Sequence, residues 1–341
     1  MKLGVNIAPN GAPAVASAAE RLGYDVAFVP EGYRTDAISV LGMLAGRTER
    51  IGLAAGVLQI PARSAVMTAM TASTLETLAP GRVRLGLGIS NAHISEGWHG
   101  VRFDRPLRRT REYIEIVRLA LNDEPVRYRG ELNELPLPDA RGEPFRQFGS
   151  AHAAAVPIYL AAIGPRSLEL AGEVADGWFG VFCSPDRITE SLPHIRSGRD
   201  KAGLRDKGFE VAPSVPVVVG RSPDEAADAV RHYIARFVSL GSKEHSFYHS
   251  LMKTMGYPNE ADEVHDRYGA GDHAGAAAAV PFGFIDATAL LGPRERIAEK
   301  MTAYAEAGVT TLALSPFARA IEEQQFILRV AAEALDRAGL A

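Results

Sequence analysis

Eight short apolar runs alternate with helical patterns along the whole chain. Within each run the apolar residues are largely continuous, which is typical of strands that are covered on both faces. The runs begin at Lys2, Asp25, Arg50, Gly81, Val156, Gly177, Phe209 and Val309. Eight strand–helix units predict an α/β fold, a (β/α)8 TIM barrel, with a doubly wound sheet as the alternative.

Two segments are too long for the connections of a minimal barrel. Residues 122–155 are polar and rich in Pro and Gly, and residues 240–285 contain four His and several aromatic residues. Both are predicted to be insertions, and the second is expected to be partly helical. Single α/β barrels reach this length of 341 residues, so we expect one domain over residues 1–341.

Composition excludes several classes of function. The net charge is −4 at pH 7 and there is no basic run, so no nucleic-acid partner is expected. No segment reaches the roughly 18 consecutive apolar residues that a membrane span needs. A single cysteine, Cys183, cannot form an intrachain disulfide and is typical of a reducing compartment, so we expect a cytoplasmic protein.

The carboxyl ends of the strands form the active face of a barrel, and here they carry mostly small or apolar residues. We find no His and carboxylate cluster with metal-ligand spacing, no nucleophile elbow and no paired carboxylates, so no metal is expected. Gly86-Leu87-Gly88 lacks the full dinucleotide fingerprint. Such a mouth suits a flat, apolar cofactor that carries the chemistry itself.

One strand end has the features of a phosphate site. Gly164-Pro165 lies between the strand that begins at Val156 and a predicted helix over Arg166–Ala175. Proline is preorganised for the first helical position. The free N–H groups of Arg166 and Ser167, together with the positive end of the helix dipole, can bind an anion. The Arg166 guanidinium and the Ser167 hydroxyl can add charge-assisted bonds. An ordinary strand-to-helix turn is the alternative.

Five segments carry a family resemblance that runs almost end to end. They are "MKLGVNIAPN", "GVLQIPARSAVMTAMTASTLETLAPGRVRLGLG", "GWHGVRFDRPLRRTREYIEIVRLAL", "PIYLAAIGPRSLELAGEVADGW" and "GPRERIAEKMTAYAEAGVTTL". In these segments the chain resembles the bacterial luciferase-like (β/α)8 oxidoreductases, most closely the deazaflavin branch typified by methylenetetrahydromethanopterin reductase. The resemblance implies coenzyme F420 as cofactor, with FMN as the alternative, and hydride transfer between C5 of the deazaflavin and a small-molecule substrate.

The resemblance also implies positions for the site. The family's non-proline cis peptide matches Gly56-Val57. The implied cofactor contacts are Asn6, Gly56, Val57, Gly88, Ser90, Asn91, Ala162, Ile163, Gly164, Pro165, Arg166 and Ser167. For Arg63 we expect either a contact to the glutamyl tail or a surface role. A homodimer is implied through the barrel helices, where helix 64–79 offers the small residues Ala65, Ala69, Thr71 and Ala72.

Three positions depart from the reductase pattern. Asn6 and Asn91 stand where that enzyme has acidic residues, and Glu31-Gly32 matches its Asp-His pair. The cofactor site is therefore expected to be kept while the substrate differs. Glu31 and His93 are the predicted groups for proton transfer, followed by Glu96, His99, His245 and His249. The alternatives are a flavin-dependent monooxygenase and a deazaflavin-binding protein without activity.

Overall fold

The eight predicted strands close into a parallel barrel. The computed structural model describes residues 1–32, 35–122, 124–147 and 153–341. The strands are β1 Lys2–Asn6, β2 Val26–Val29, β3 Gly52–Ala55, β4 Leu58–Gln59, β5 Val83–Gly88, β6 Tyr128–Arg129, β7 Glu134–Leu135, β8 Ile158–Ala161, β9 Gly177–Val181, β10 Glu210–Val219, β11 Leu290–Gly292 and β12 Thr311–Pro316. The barrel order is β1-β2-β3-β5-β8-β9-β10-β12, and β12 pairs with β1. The TIM-barrel prediction is confirmed, and the doubly wound alternative is wrong.

Helices cover the outside of the barrel and one end of it. They are α1 Ala12–Arg21, α2 Ala37–Ala45, α3 Ala65–Leu78, α4 Ala92–Gly97, α5 Pro106–Leu121, α6 Pro165–Val174, α7 Pro185–Lys201, α8 Pro223–Val238, α9 Phe247–Thr254, α10 Pro258–Gly269, α11 His273–Ala278, α12 Phe282–Thr288, α13 Arg294–Glu306 and α14 Ile321–Arg337. Ser222 caps α8, because its Oγ accepts from Glu225 N at 3.3 Å. None of the described helices is long and apolar enough to cross a membrane.

The inside of the barrel is a packed apolar cluster. Phe28 of β2 and Phe179 of β9 lie at its centre with ring centroids 5.2 Å apart. Val57 and Val181 are half-buried and pack on this cluster where β3 and β9 end. The two valines therefore form the floor of the mouth at the carboxyl ends of the strands.

The first predicted insertion contains a hairpin that the sequence did not predict. Strands β6 and β7 pair antiparallel, and the buried Glu112 of α5 accepts N–H groups from residues 131–133 at 2.8–3.0 Å. Desolvation raises the pKa of Glu112, but these bonds and the Asn133 amide outweigh it, so the pKa is lowered overall. Residues 123 and 148–152 of the insertion lie outside the described residues.

The second predicted insertion is more helical than expected. Helices α9–α12 occupy most of residues 240–285 and pack with α8 around a second apolar cluster. Strand β11 follows and pairs with the end of β10. Val181 packs against both this cluster and the barrel interior, so the insertion lies over one side of the mouth.

Candidate active site

A backbone bulge lies at the centre of the mouth. The Gly56-Val57 peptide is cis, as the resemblance predicted, and β4 then pairs with β5. A Cβ on Gly88 would lie 2.8 Å from Val57 Cγ2, and a Cβ on Gly86 would lie 2.0 Å from Ala55 O. Contacts this short exclude side chains at both positions. Gly86 and Gly88 therefore serve the packing of the bulge on β5.

The bulge adjoins the predicted phosphate loop. The same Cβ on Gly88 would lie 3.5 Å from the Cβ of Ala161, the last residue of β8. The chain continues from Ala161 into the loop 162–164 and then into α6, which begins at Pro165. Gly88 of β5 thus lies between the bulge at Val57 and the start of the loop 162–164.

Donors hold all three carbonyl groups of this loop. Trp178 Nε1 donates to Ala162 O at 2.9 Å, and Arg187 Nη2 donates to Ile163 O at 3.0 Å. Gly164 O accepts from Leu168 N at 2.9 Å and from Ser167 Oγ at 2.8 Å. Because the carbonyl oxygens are already bonded, the polar groups left for a ligand are N–H groups.

The amino end of α6 supplies those N–H groups. Arg166 N and Ser167 N lie in the first turn, where no helical carbonyl precedes them. The Arg166 side chain is exposed, and among the described residues no acceptor bonds its guanidinium. Ser167 Oγ also accepts from Ile163 N at 3.3 Å, so its hydroxyl is engaged within the loop. The groups available to an anion at this helix end are therefore backbone N–H groups and the Arg166 guanidinium.

Space is available at this helix end. A Cβ on Gly164 would meet nothing within 4 Å, and its φ of −86° is accessible to any residue. The fold therefore does not require glycine at position 164. A phosphate that approaches the backbone there would require it.

Asn6 lies at the end of β1 with its amide fixed by the closing strands. Its Nδ2 donates to Ser214 Oγ and Ser315 Oγ, both at 2.9 Å, and lies 3.3 Å from Ala313 O. Because a carbonyl oxygen can only accept, the Asn6 NH2 group rather than its Oδ1 must face Ala313 O. No described donor bonds Asn6 Oδ1, which remains an acceptor at the mouth.

Glu31 forms an ion pair. Its two carboxylate oxygens accept from Arg63 Nη1 at 3.0 Å and Nη2 at 2.9 Å, and the Glu31 and Arg63 side chains are only 6% and 17% exposed. Gln59 N also donates to Glu31 Oε1 at 3.0 Å. The surface role expected of Arg63 is wrong, since its side chain is largely buried and paired with Glu31, while a contact to the glutamyl tail stays a prediction. Both carboxylate oxygens of Glu31 are in turn occupied as hydrogen-bond acceptors.

The residues after β5 lie beside the second insertion. Ser90 has a left-handed φ of 66° and donates from Oγ to Gln59 Oε1 at 3.0 Å. Asn91 caps α4 by accepting from Ile94 N at 3.1 Å. His93 is exposed and borders a cleft of about 330 Å³. The cleft is lined by Asn91, Ala92, His93, Glu96, Gly97, Gly241, Ser242 and His245. Asn91 and His93 thus lie where α4 meets the insertion.

The remaining histidine candidates are distributed over other environments. His249 is buried within the insertion and its Nε2 lies 2.8 Å from Asp262 Oδ1. His245 Nδ1 bonds Ser242 Oγ at 3.0 Å, and His99 is half-buried after α4. In the part of the chain that the structure describes, no three His, Cys, Asp or Glu side chains are grouped to hold a metal ion.

Sequence reasoning missed the polar partners of the site. Ser214 and Ser315 are 208 and 309 positions from Asn6, and Gln59 is 28 positions from Glu31. No local pattern marks these residues, because only barrel closure and the bulge bring them together. The order of strand ends was the one usable signal, since the ends of β1, β10 and β12 are neighbours in any closed barrel of this order.

Comparisons with known proteins agree with this architecture. The sequence model of the luciferase-like monooxygenase family matches residues 3–311. A Mycobacterium tuberculosis protein, provisionally named as a coenzyme F420-dependent oxidoreductase, is 32% identical over 92% of this chain and 95% of its own. The 5,10-methylenetetrahydromethanopterin reductase of Archaeoglobus fulgidus is 28% identical over 86% of this chain and 85% of its own.

A solved structure has the same fold. The coenzyme F420-dependent tetrahydromethanopterin reductase of Methanopyrus kandleri superposes with a TM-score of 0.83 over 98% of this chain and 97% of that one. The sequence identity of that pair is 21%, so this likeness concerns the fold alone.

Proposed function

Because the chain belongs to the luciferase-like monooxygenase family, we propose that it is a coenzyme F420-dependent oxidoreductase that transfers a hydride between the cofactor and an organic substrate. The main support for this proposal is that Gly88 adjoins both the bulge at Val57 and the end of β8. From β8 the chain leads directly to the amino end of α6. An apolar surface beside an anion site suits a flat ring with a phosphate-bearing tail.

The names of the relatives support this cofactor. The Mycobacterium tuberculosis relative and the Methanopyrus kandleri structure are both named as coenzyme F420-dependent. The residues present fit the group, because Gly164 leaves open space before the free N–H groups of α6.

Each part of the mouth has a role in the proposal. Bound coenzyme F420 supplies a hydride acceptor or donor at C5 of its deazaflavin ring. Val57 would support the ring, and the N–H groups of Arg166 and Ser167 would hold the phosphate together with the Arg166 guanidinium. Asn6 Oδ1 accepts a hydrogen bond from ring or substrate, and Ser214 and Ser315 keep its amide oriented.

The proton-transfer roles divide between two residues. Glu31 acts in the proposal by holding Arg63 beside β4, because both of its oxygens already accept from that guanidinium. His93 is retained as the proton-transfer group because its ring is exposed at the cleft that Asn91 also lines. Asn6 and Asn91 bind without titrating, since an amide carries no ionisable proton in this pH range.

The cofactor assignment is tested by titrating the protein with coenzyme F420 and with FMN while following cofactor absorbance. We expect saturable binding of F420 and weaker binding of FMN. Reduced FMN in the presence of the protein is expected to cause no oxygen uptake above that of buffer. Tighter FMN binding with enzyme-dependent oxygen uptake would instead identify a flavin-dependent monooxygenase. If F420 binds but none of the candidate substrates causes its turnover, the chain is a binding protein without activity.

We further propose a homodimer that pairs through α3. The outward face of this helix carries the large apolar residues Met67, Met70 and Leu78, which are 53%, 47% and 56% exposed. A groove of about 1010 Å³ lies between α3 and residues 135–147. Large exposed apolar residues beside a groove are typical of an interaction site. Ala69 and Ala72 were expected at this interface. That expectation is wrong, because both residues are fully buried against the barrel.

Light scattering at micromolar concentration tests the dimer. We expect a mass of twice the 36.5 kDa chain. Met70→Glu should shift the mass toward that of one chain, because it places a charge on the proposed interface. A single-chain mass for the unaltered protein rules the dimer out.

The proposal treats residues 1–341 as one domain of a cytoplasmic protein. Val181 packs on both apolar clusters, which couples the insertion to the barrel. Cys183 is a free, buried cysteine, and burial raises the pKa of its thiol to about 12. A thiol of this kind acts as a small core residue, which suits a reducing compartment.

A further inference from the structure

Aromatic rings line the side of the mouth that the insertion covers. Tyr233 and Phe237 are one helical turn apart on α8, with ring centroids 4.8 Å apart. The Tyr233 ring also contacts Phe317, which follows β12, at 5.0 Å, and Phe182, which follows β9, at 5.6 Å. We call Tyr233, Phe237, Phe317 and Ile163 the aromatic wall. All four are half-buried and pack against the second apolar cluster.

The aromatic wall is continuous with the floor of the mouth. Val181 packs against the second apolar cluster together with the wall, and it packs against the barrel interior together with Val57. Ile163 belongs to the loop that precedes α6. The wall therefore borders the same space as the bulge and the phosphate loop.

The wall is apolar apart from one hydroxyl. Its four members carry no formal charge. Within the described residues no hydrogen-bond partner is found for the Tyr233 hydroxyl, although the ring is half-buried among other rings. The hydroxyl itself is not among the fully buried polar atoms, so it can be reached from outside the wall. Tyrosine combines an apolar ring with a polar tip, and a reachable tip without a protein partner is suited to a ligand.

The hydroxyl is a donor under all ordinary conditions. Burial raises the pKa of Tyr233 well above its usual value, so the proton stays on the oxygen. A neutral donor in apolar surroundings favours a neutral acceptor, because a charged ligand would lose its hydration without a counter-ion in the wall.

We propose that the aromatic wall is the substrate subsite, that it takes neutral apolar carbonyl compounds, and that Tyr233 Oη donates a hydrogen bond to the carbonyl oxygen. The inference rests on the proposed function, in which such a compound would accept or have lost the hydride. Tyr233 is then the residue that orients the substrate, and the rings supply most of the contact area.

The test uses three probes of nearly the same shape. Acetophenone has a neutral carbonyl group, ethylbenzene lacks the oxygen, and benzoate is an anion. Binding of each probe is measured by calorimetry, with the protein alone and with oxidised coenzyme F420 bound. We expect acetophenone to bind at least tenfold more tightly than benzoate.

The Tyr233→Phe variant separates the hydrogen bond from the packing. It is expected to weaken acetophenone binding about fivefold and to leave ethylbenzene binding unchanged, since the ring remains. Tyr268→Phe is the matched control, because the Tyr268 ring packs on His273 within the insertion, and it should change neither affinity. A purely structural role for Tyr233 would change both probes together.

Two outcomes overturn the inference while leaving the proposed function intact. One is equal acetophenone binding by the unaltered protein and Tyr233→Phe, and the other is benzoate binding as tight as that of acetophenone. Failure of coenzyme F420 to bind, with a Tyr233-dependent acetophenone site still present, would overturn the proposed cofactor and support the subsite.

Discussion

Replacing Glu31 by alanine is expected to lower the free energy of unfolding by about 3 kcal/mol. The Arg63 side chain is only 17% exposed in the intact protein, so the change leaves its guanidinium largely buried without a carboxylate partner. It also removes the acceptor for Gln59 N. The cost of an uncompensated buried charge exceeds the net value of the pair itself, which is why removal of one partner is so unfavourable. Denaturation by urea, monitored by circular dichroism, measures the loss.

Two further variants identify the source of that loss. The double variant Glu31→Leu and Arg63→Met removes both charges and should recover most of the stability, because apolar residues of similar volume can replace a buried pair. Asp200→Ala breaks the exposed pair with Arg205, whose side chains are 42% and 75% exposed, and should have little effect. If Glu31→Ala lowers the stability as little as Asp200→Ala does, the Glu31–Arg63 pair contributes no more than an exposed ion pair.

The Gly164→Val variant is expected to bind coenzyme F420 more than tenfold more weakly, a loss of over about 1.4 kcal/mol. Valine tolerates the backbone conformation of residue 164, and its side chain would enter the open space in front of the N–H groups of Arg166 and Ser167. The phosphate would then be kept from the backbone. Fluorescence or absorbance titration with F420 measures the change.

A matched glycine controls for the substitution itself. Gly208, in the loop before β10, also has no atom within 4 Å of a would-be Cβ, and it lies at the opposite end of the barrel. Gly208→Val should leave F420 binding unchanged, and both variants should unfold at the same urea concentration as the unaltered protein. Unchanged affinity in folded Gly164→Val would place the phosphate elsewhere and reduce Gly164-Pro165 to a turn.

The barrel could be predicted because its strands are local features of the sequence. Each apolar run is largely continuous and is followed by a helical pattern, and eight such units have few ways to pack. The loop before α6 was predicted for the same reason, since Pro165 marks a helix start without knowledge of the fold.

The ion pair and the amide contacts could not be predicted because their partners are distant in sequence. Arg63 was expected at the tail or on the surface, since nothing near it in the chain indicates that its charge meets Glu31, 32 positions away. Asn6 was predicted at the pocket, but its bonds to Ser214 and Ser315 exist only once β10 and β12 close the barrel.

Helix faces were the other source of error. The helix 64–79 was correctly predicted, with α3 observed over Ala65–Leu78, but the outward face was assigned by residue size. Ala69 and Ala72 are small because they pack closely on the barrel, while the outward positions carry methionine and leucine. A composition rule alone does not tell close packing inside a fold from close packing between chains.

The aromatic rings over the mouth come from positions 182 and beyond, whereas the bulge and the α6 amino end come from residues 56–167. Substitutions on α8 and in the insertion can therefore alter which compounds fit without altering the surface that meets the ring and phosphate. A gene encoding such a protein can diversify one half while selection preserves the other. Lineages that share this barrel are then expected to differ most at positions such as Tyr233 and Phe237, and least at Gly86, Gly88 and Gly164.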